Sequence, residues 1–188
     1  MRVISGEARG HKLKAPAGLN TRPTTDRVKE AVFSMISEYI LNACVLDLFA
    51  GSGALGIEAL SRGAGECVFI DNDAESVKTV KLNLTKTGLI NKAKIYKNNY
   101  ENALEILIKK DKKFDIVFLD PPYYENFLIK TLKILSNSDI ISNEGIIVAE
   151  HLKKDTEINI PEQFTIDRKK RYGDTEILII KKSKGQEI

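Results

Sequence analysis

Four consecutive residues, Asp120-Pro121-Pro122-Tyr123, carry the most specific chemistry in the chain. They close the apolar run FDIVFLD (residues 114–120), whose β-branched and aromatic residues read as a buried strand. Each proline lacks an N–H and holds φ at about −65°. The loop leaving the strand is therefore stiff, and few in-chain donors compete for its carbonyls. The Asp120 carboxylate and the Pro121 carbonyl supply two acceptors, with the Tyr123 ring beside them. Such a claw suits a planar substrate bearing an NH2 group, held by two hydrogen bonds and a stack. The plainer alternative is a proline-rich turn, with Asp120 as a local cap and Tyr123 in the core.

A second segment weighs against that alternative. Residues 45–60 read VLDLFAGSGALGIEAL. An apolar strand runs into Gly51-Ser52-Gly53, and Leu55, Ile57, Ala59 and Leu60 follow in a helical pattern. Gly51, Gly53 and Gly56 keep a G-x-G-x-x-G spacing, which serves a tight turn, close approach to a ligand and close helix–strand packing. Asp71 ends the next apolar run, CVFID, about 20 residues on, where a ribose-binding carboxylate belongs in a nucleotide site. Strand, glycines, helix, strand and acid in this order indicate a nucleoside-type cofactor. A nicotinamide dinucleotide shares the spacing, but it lays an anionic pyrophosphate on the helix N-terminus. Here Asp47 precedes the loop and Asp120 belongs at a neighbouring strand end. Such a field favours a cation, and the sulfonium of S-adenosylmethionine is one.

DLFAGSGALGIEAL followed by DPPY resembles the class I S-adenosylmethionine-dependent methyltransferases that modify exocyclic amines. Three further stretches narrow the likeness: ISGEARGHKLKAP (4–16), TRPTTDRVKEAVF (21–33) and RYGDTEILI (171–179). Together they resemble the RsmD-type family of small-subunit rRNA (guanine-N2)-methyltransferases, over almost the whole chain. The resemblance implies methyl transfer from S-adenosylmethionine to a guanine N2 in bacterial 16S ribosomal RNA. It implies as partner that RNA within a small-subunit assembly particle, and a cytoplasmic, monomeric enzyme that needs no metal. Asp120, Pro121 and Tyr123 would be catalytic. Asp47, Gly51 and Gly53 would line the methionine end, Asp71 would take the ribose hydroxyls, and Asn72 would lie near the adenine. Many relatives carry an acid after the third core strand to bind the adenine amine, where this chain has Asn98, Asn99 and Tyr100. Asn99 could accept that hydrogen bond through its amide oxygen, or could cap the helix that follows. Adenine-N6 and glutamine methyltransferases share DPPY but usually add a target-reading domain, for which this chain has no room. A nicotinamide oxidoreductase would have no need of DPPY.

Bulk properties agree. At 188 residues, with 43% hydrophobic and 29% charged, the chain has the size and composition of one globular domain. No apolar stretch approaches the roughly 20 residues of a membrane span, and the start, MRVISGEARG, lacks the apolar segment of a secretion signal. Cys44 and Cys67 open two core strands and read as reduced packing residues, while His11 and His151 lie far apart in sequence. The net charge of +3 hides an asymmetry: residues 1–30 carry +4 and residues 168–184 carry +5, which leaves an acidic middle. Basic ends around an acidic centre fit a cation-binding core flanked by surfaces for a polyanion. Arg9, Lys12, Lys14, Arg22, Arg168 and Arg171 are the RNA-binding candidates.

These residues need a scaffold that gathers strand ends. Strands at 44–49, 67–71, 93–97, 114–119 and 145–150 alternate with helices at 53–62, 74–86, 100–110 and 125–136. This predicts an α/β, doubly wound, mostly parallel sheet with its ligand at the strands' carboxyl ends. Residues 164–170 and 176–182, around Gly173-Asp174, predict a closing C-terminal antiparallel hairpin. Before the sheet, Thr25 is a candidate cap for a helix whose apolar face runs from Val28 to Ile40. Residues 1–24 are expected to form a small basic β-hairpin and loop, and 25–188 the methyltransferase domain. That hairpin is expected to add little stability, so that its removal would leave a folded domain.

Overall fold

The structure is a computed structural model and describes residues 1–16, 26–122, 126–152 and 158–183. Strands β1 (Cys44–Asp47), β2 (Glu66–Asp71), β3 (Ala93–Lys97), β4 (Phe114–Leu119) and β5 (Ile141–Leu152) run parallel. The last two, β6 (Phe164–Tyr172) and β7 (Thr175–Lys182), form an antiparallel hairpin joined to β5 through β7. The sheet order is β3-β2-β1-β4-β5-β7-β6. The order in which strands are added therefore reverses between the parallel β1 and β4, the switch point at which such sheets bind ligands.

Helices cover both faces because each central strand is apolar on both sides. On one face lie α1 (Asp26–Met35), α2 (Ala54–Ser61) and α3 (Ala74–Lys86). They pack Phe33, Ile57, Leu60, Val80 and Leu84 against Val45, Phe69, Ile116, Phe118, Ile146 and Val148. On the other lie α4 (Tyr100–Lys109) and α5 (Phe127–Ser136), which pack Leu104, Leu128 and Leu132 against Leu46, Val68, Val117 and Ile147. Cys44 and Cys67 are free thiols, half-buried and buried, and burial pushes both above the ordinary thiol range.

Two elements differ from their sequence outlines. The α1 helix stops at Met35, and a 3₁₀ turn (Ser37–Tyr39) carries the apolar spacing on to Ile40. Strand β5 begins at Ile141, because buried Ile141 pairs with Phe114 before a register shift absorbs exposed Asn143 and Glu144. That polar pair concealed the start of the strand. Thr25 lies outside the described residues.

The N-terminal segment departs furthest from expectation. It forms a tight loop with a single antiparallel bridge, Arg2 to Lys12, and it is part of the core. Val3, Ala8 and Leu13 are buried among the residues of α1 and α2. Its polar groups are anchored as well. The buried Glu58 carboxylate of α2 accepts from the backbone N–H groups of Ile4 (2.8 Å) and Ser5 (3.0 Å). It also pairs with Lys29 of α1 at 3.0 Å and Arg62 at 2.7 Å. Lys29, fully buried, donates in addition to the Arg2 carbonyl. Ser61 bonds Ser5, Glu7 and Ala8, and the Asn83 side chain bonds both backbone groups of Lys14. The expectation of a removable hairpin is corrected accordingly. Deleting the segment would strip partners from two buried charges.

A buried charge that loses its partner costs about 3–5 kcal/mol. Glu58→Ala should therefore destabilise the protein by about that much in urea unfolding, because it orphans Lys29 and two backbone donors. Lys29→Met should cost clearly less, since Glu58 keeps Arg62 and both amides. Equal, small effects of the two substitutions would contradict the anchoring.

Candidate active site

The site is built where β1, β2, β4 and β5 end. Alternate residues of a strand share a face. Val45, Phe69, Phe118 and Val148 all point toward the α1–α3 side. Two positions further on, so do Asp47, Asp71, Asp120 and Glu150. The register places Asp47 opposite Phe69 and Phe118, and Leu119 opposite Ala149. Across the sheet the order is thus Asp71, Asp47 one pleat lower, Asp120, then Glu150. Four carboxylates form one row along the edge where a ligand would sit.

Each acid is held differently. Asp47 is buried, and its Oδ2 accepts from the Gly56 N–H at 3.0 Å, which pins the start of α2 to β1. Burial, opposed in part by that bond and assisted by the nearby Asp71 charge, pushes its carboxyl up to about 7. Asp71 accepts from the Gly51 N–H (2.7 Å) and the Asp73 N–H (2.9 Å), and burial raises its carboxyl above the ordinary range. Each carboxylate oxygen has a second acceptor site, so Asp71 can grip the glycine loop and still take a hydroxyl. Asp120 is half-buried, and burial, then the charges of Glu150 and Asp47, raise it well above the ordinary carboxylate range. Among the described residues no group of three or more His, Cys, Asp or Glu could hold a metal ion.

The glycine loop has the shape its spacing required. Gly51 and Gly53 have φ of 54° and 77°, the left-handed region that favours glycine. A Cβ on Gly56 would lie 2.3 Å from Phe69 and 2.7 Å from the Cys67 sulfur, so this helix meets its strand without room for a side chain. Asn83 of α3 donates to the Ser52 carbonyl at 2.9 Å as well as to Lys14, joining the loop to the N-terminal segment. Loop, α3 and N-terminal segment are thus tied to one side chain.

The remaining candidates divide. Asn72 is exposed on the rim after Asp71. Asn99 is the cap of α4, its Oδ1 accepting from the Asn102 N–H at 2.8 Å. Pro121 is buried and Pro122 exposed, while Tyr123 and Arg22 lie outside the described residues. Arg9, Lys12 and Lys14 are exposed on the N-terminal segment, whose first residue approaches the glycine loop through Met1 and Ser52. Arg168 donates to the Met35 carbonyl at the end of α1 and pairs with Glu38, so part of its charge serves the fold. The pleat puts Arg171 on the opposite face from Arg168, close to the β6–β7 turn. Because Leu152 pairs with Thr175, that turn lies at the same edge as the acid row. The β6–β7 turn with Arg171 therefore lies beside the acids, whereas Arg9 and Lys12 sit on a segment held to the far ends of α2 and α3 through Ser61 and Lys86.

Three contributors escaped the sequence reading. Glu150 ends the predicted strand 145–150 just as Asp71 and Asp120 end theirs, and that position was the available signal. Glu58 and Asn83 gave little local signal: Arg62 is the one near partner of Glu58, while its bond to Ser5 spans 53 residues and that of Asn83 to Lys14 spans 69.

Residues 1–181 match the family described as "Conserved hypothetical protein 95". The chain is 47% identical to "Putative rRNA methyltransferase YlbH" of Bacillus subtilis, with 97% of this chain and 99% of that protein covered. It is 36% identical to "Ribosomal RNA small subunit methyltransferase D" of Escherichia coli strain K12, covering 92% and 85%. The solved structure of "Putative methyltransferase yhhF from Escherichia coli" superposes with a TM-score of 0.84 at 31% identity, covering 97% of each chain.

The protonation of Asp47 yields a measurable consequence. Its folded-state carboxyl, raised from 3.8 to about 7, stabilises the fold at low pH, and that contribution fades as the pH rises through the folded value. A cation bound nearby favours the ionised form. Affinity for a cationic ligand should thus rise as the pH climbs toward 7 and level off above it, with uptake releasing a proton. Calorimetry with S-adenosylmethionine in buffers of different ionisation enthalpy measures that proton. Asp47→Asn should reduce the release and flatten the decline in stability toward neutral pH. An unchanged release would assign the proton to Asp71 or Asp120, whose carboxyls are raised as well.

Proposed function

The chain belongs to the Conserved hypothetical protein 95 family, the RsmD family of methyltransferases, and on that premise we propose that it methylates a guanine N2 in small-subunit ribosomal RNA. The observation that carries the proposal is the Asp120-Pro121-Pro122 exit from β4 beside the glycine loop, on a sheet of methyltransferase order. The donors and acceptors fit S-adenosylmethionine. Asp71 offers acceptors to the ribose hydroxyls, Gly51 and Gly53 a bare backbone to the methionine end, and Asp47 a negative charge beneath. Asn72 lies on the rim where the adenine would be flanked. Asn99 keeps a lone pair beyond its cap, and the adenine contact is proposed for it or for a neighbouring backbone group.

When bound, the cofactor supplies an electrophilic methyl group on a sulfonium. The protein's task is to make a poor nucleophile attack it. The lone pair of a guanine amine is delocalised into the ring. Accepting both N–H hydrogens at Asp120 and the Pro121 carbonyl draws the nitrogen toward tetrahedral geometry and localises that pair. Tyr123 would stack on the base. Held in this way, the lone pair would be aligned with the methyl group the cofactor supplies, and that alignment would account for much of the rate. The proton becomes acidic only after attack, and Asp120 is placed to take it. Its raised proton affinity suits that receiving role.

The basic residues would hold the RNA. Arg168 and Arg171 would do so from the β6–β7 hairpin beside the acids, and Arg9, Lys12 and Lys14 would extend the basic surface along the N-terminal segment. Arg22 would join them. An assembling small-subunit particle as substrate, a monomeric enzyme and a cytoplasmic location complete the proposal.

Deleting the gene and mapping methylated guanines in ribosomal RNA should show the loss of one modification. Asp120→Ala should lower turnover by roughly a hundredfold or more, a loss of about 2–4 kcal/mol in stabilising the developing charge. Cofactor affinity should stay within a few-fold. Near-normal turnover by this variant would sink the claw mechanism. A separate outcome concerns the rim. Because the N-terminal segment is structural, point substitution replaces deletion: Arg9, Lys12 and Lys14 all changed to Ala should leave folding and cofactor binding intact. RNA affinity should fall, and its log–log salt slope should become shallower by about two to three. An unchanged slope would reduce these residues to solvated surface.

A further inference from the structure

A claw that holds an exocyclic amine does not by itself distinguish guanine from adenine, since both carry one. The end of the acid row addresses this. Asp120 and Glu150 are the next residues after the paired Leu119 and Ala149 of neighbouring parallel strands. Their backbones are thus about 4.8 Å apart, the spacing of adjacent strands. Both follow, by two positions, core residues on the α1–α3 side, Phe118 and Val148, so both carboxylates face the cofactor side of the sheet. The proximity is felt electrostatically, because the Glu150 charge is among the causes that raise the Asp120 carboxyl. Beyond Glu150 the next strand presents Ile177, buried and apolar, so the row of acids ends there.

We propose that Glu150 is the specificity-determining residue that reads guanine, by accepting the base's N1–H while Asp120 and Pro121 hold its N2 amine. This rests on the guanine-N2 reading above. The Watson–Crick edge of guanine presents N1–H and the N2 amine as adjacent donors, which two acceptors on neighbouring strands can meet together. Adenine offers an acceptor, its N1 lone pair, beside its amine. A carboxylate facing that lone pair is repelled, and the buried polar edge is left unpaired. A site built around a donor rejects an analogue lacking it by large factors. Two neighbouring carboxylates also suit this base because each can receive an N–H of its own.

The test uses the guanine located by mapping, replaced in synthetic small-subunit RNA by 2-aminopurine. This analogue keeps the amine but exchanges the N1–H for a lone pair. The RNA is presented in whichever form, free or assembled, the intact protein methylates. The intact protein should favour guanine over 2-aminopurine by about a hundredfold or more in kcat/KM. Glu150→Gln can turn its amide to donate to N1, so it should bring the ratio within about tenfold, with S-adenosylmethionine affinity changed only within a few-fold. An intact protein that used both bases equally would overturn the assignment whatever the variant did. So would a Glu150→Gln enzyme that kept the original preference. If the intact protein methylated no guanine N2 at all, the functional reading itself would fall, and this assignment with it.

Discussion

Four carboxylates brought to one sheet edge repel one another, and the architecture of the site follows from how that repulsion is contained. At neighbouring-strand spacing, and in the effective dielectric of a partly buried site, two unit charges repel by about 3 kcal/mol. That is a large share of a domain's net stability. The relief differs from acid to acid. Asp47 binds a proton more readily and takes the Gly56 amide. Asp71 spreads its charge over the Gly51 and Asp73 amides. Asp120 also binds a proton more readily, its carboxyl raised by burial and by the charges of Glu150 and Asp47. The hydrogen bonds that relieve Asp47 and Asp71 also shape the glycine loop. The same acids that invite a cation thus set the geometry of its cradle.

A second buried charge, Glu58, holds the platform on which that cradle rests. It stands on α2, the helix that begins at the glycine loop, and its partners come from the N-terminal segment, from α1 and from α2 itself. Pairing is obligatory at such depth, since an ion without partners costs several kcal/mol. One carboxylate thereby fixes the relative position of three chain segments. Asn83 repeats the arrangement with neutral groups, bridging Ser52 of the loop and Lys14. The N-terminal segment is thus fastened to the helix behind the loop and to the loop itself. Its exposed basic residues are carried on a rigid mount.

The sequence made some of this legible and concealed the rest for physical reasons. Strand periodicity, glycine spacing and the position of Asp71 and Asp120 are local signals, and they located the sheet, the loop and three of the four acids. Lys29 and Glu58 were unreadable, because charged residues within helical patterns normally face solvent and only tertiary contact shows otherwise. The helical face from Val28 predicted burial of α1 but gave no warning that Lys29 would be buried with it. Asn99 could be read two ways from its place before α4, and the cap is what its side chain is seen to make. Glu150 was hidden because no turn residue follows it. An acid before two prolines or next to a glycine loop is marked by its neighbours, whereas β5 continues past Glu150 to Leu152.

Charges of opposite sign meet at this sheet edge. The acid row occupies the strand ends, and the β6–β7 turn carries Arg171 beside it, because Leu152 pairs with Thr175. Screening confines each field to about 8–10 Å at physiological salt, so the two act on neighbouring parts of a ligand rather than cancelling. That separation requires the hairpin to be fixed in place, which the clasp of Arg168 on the end of α1 secures.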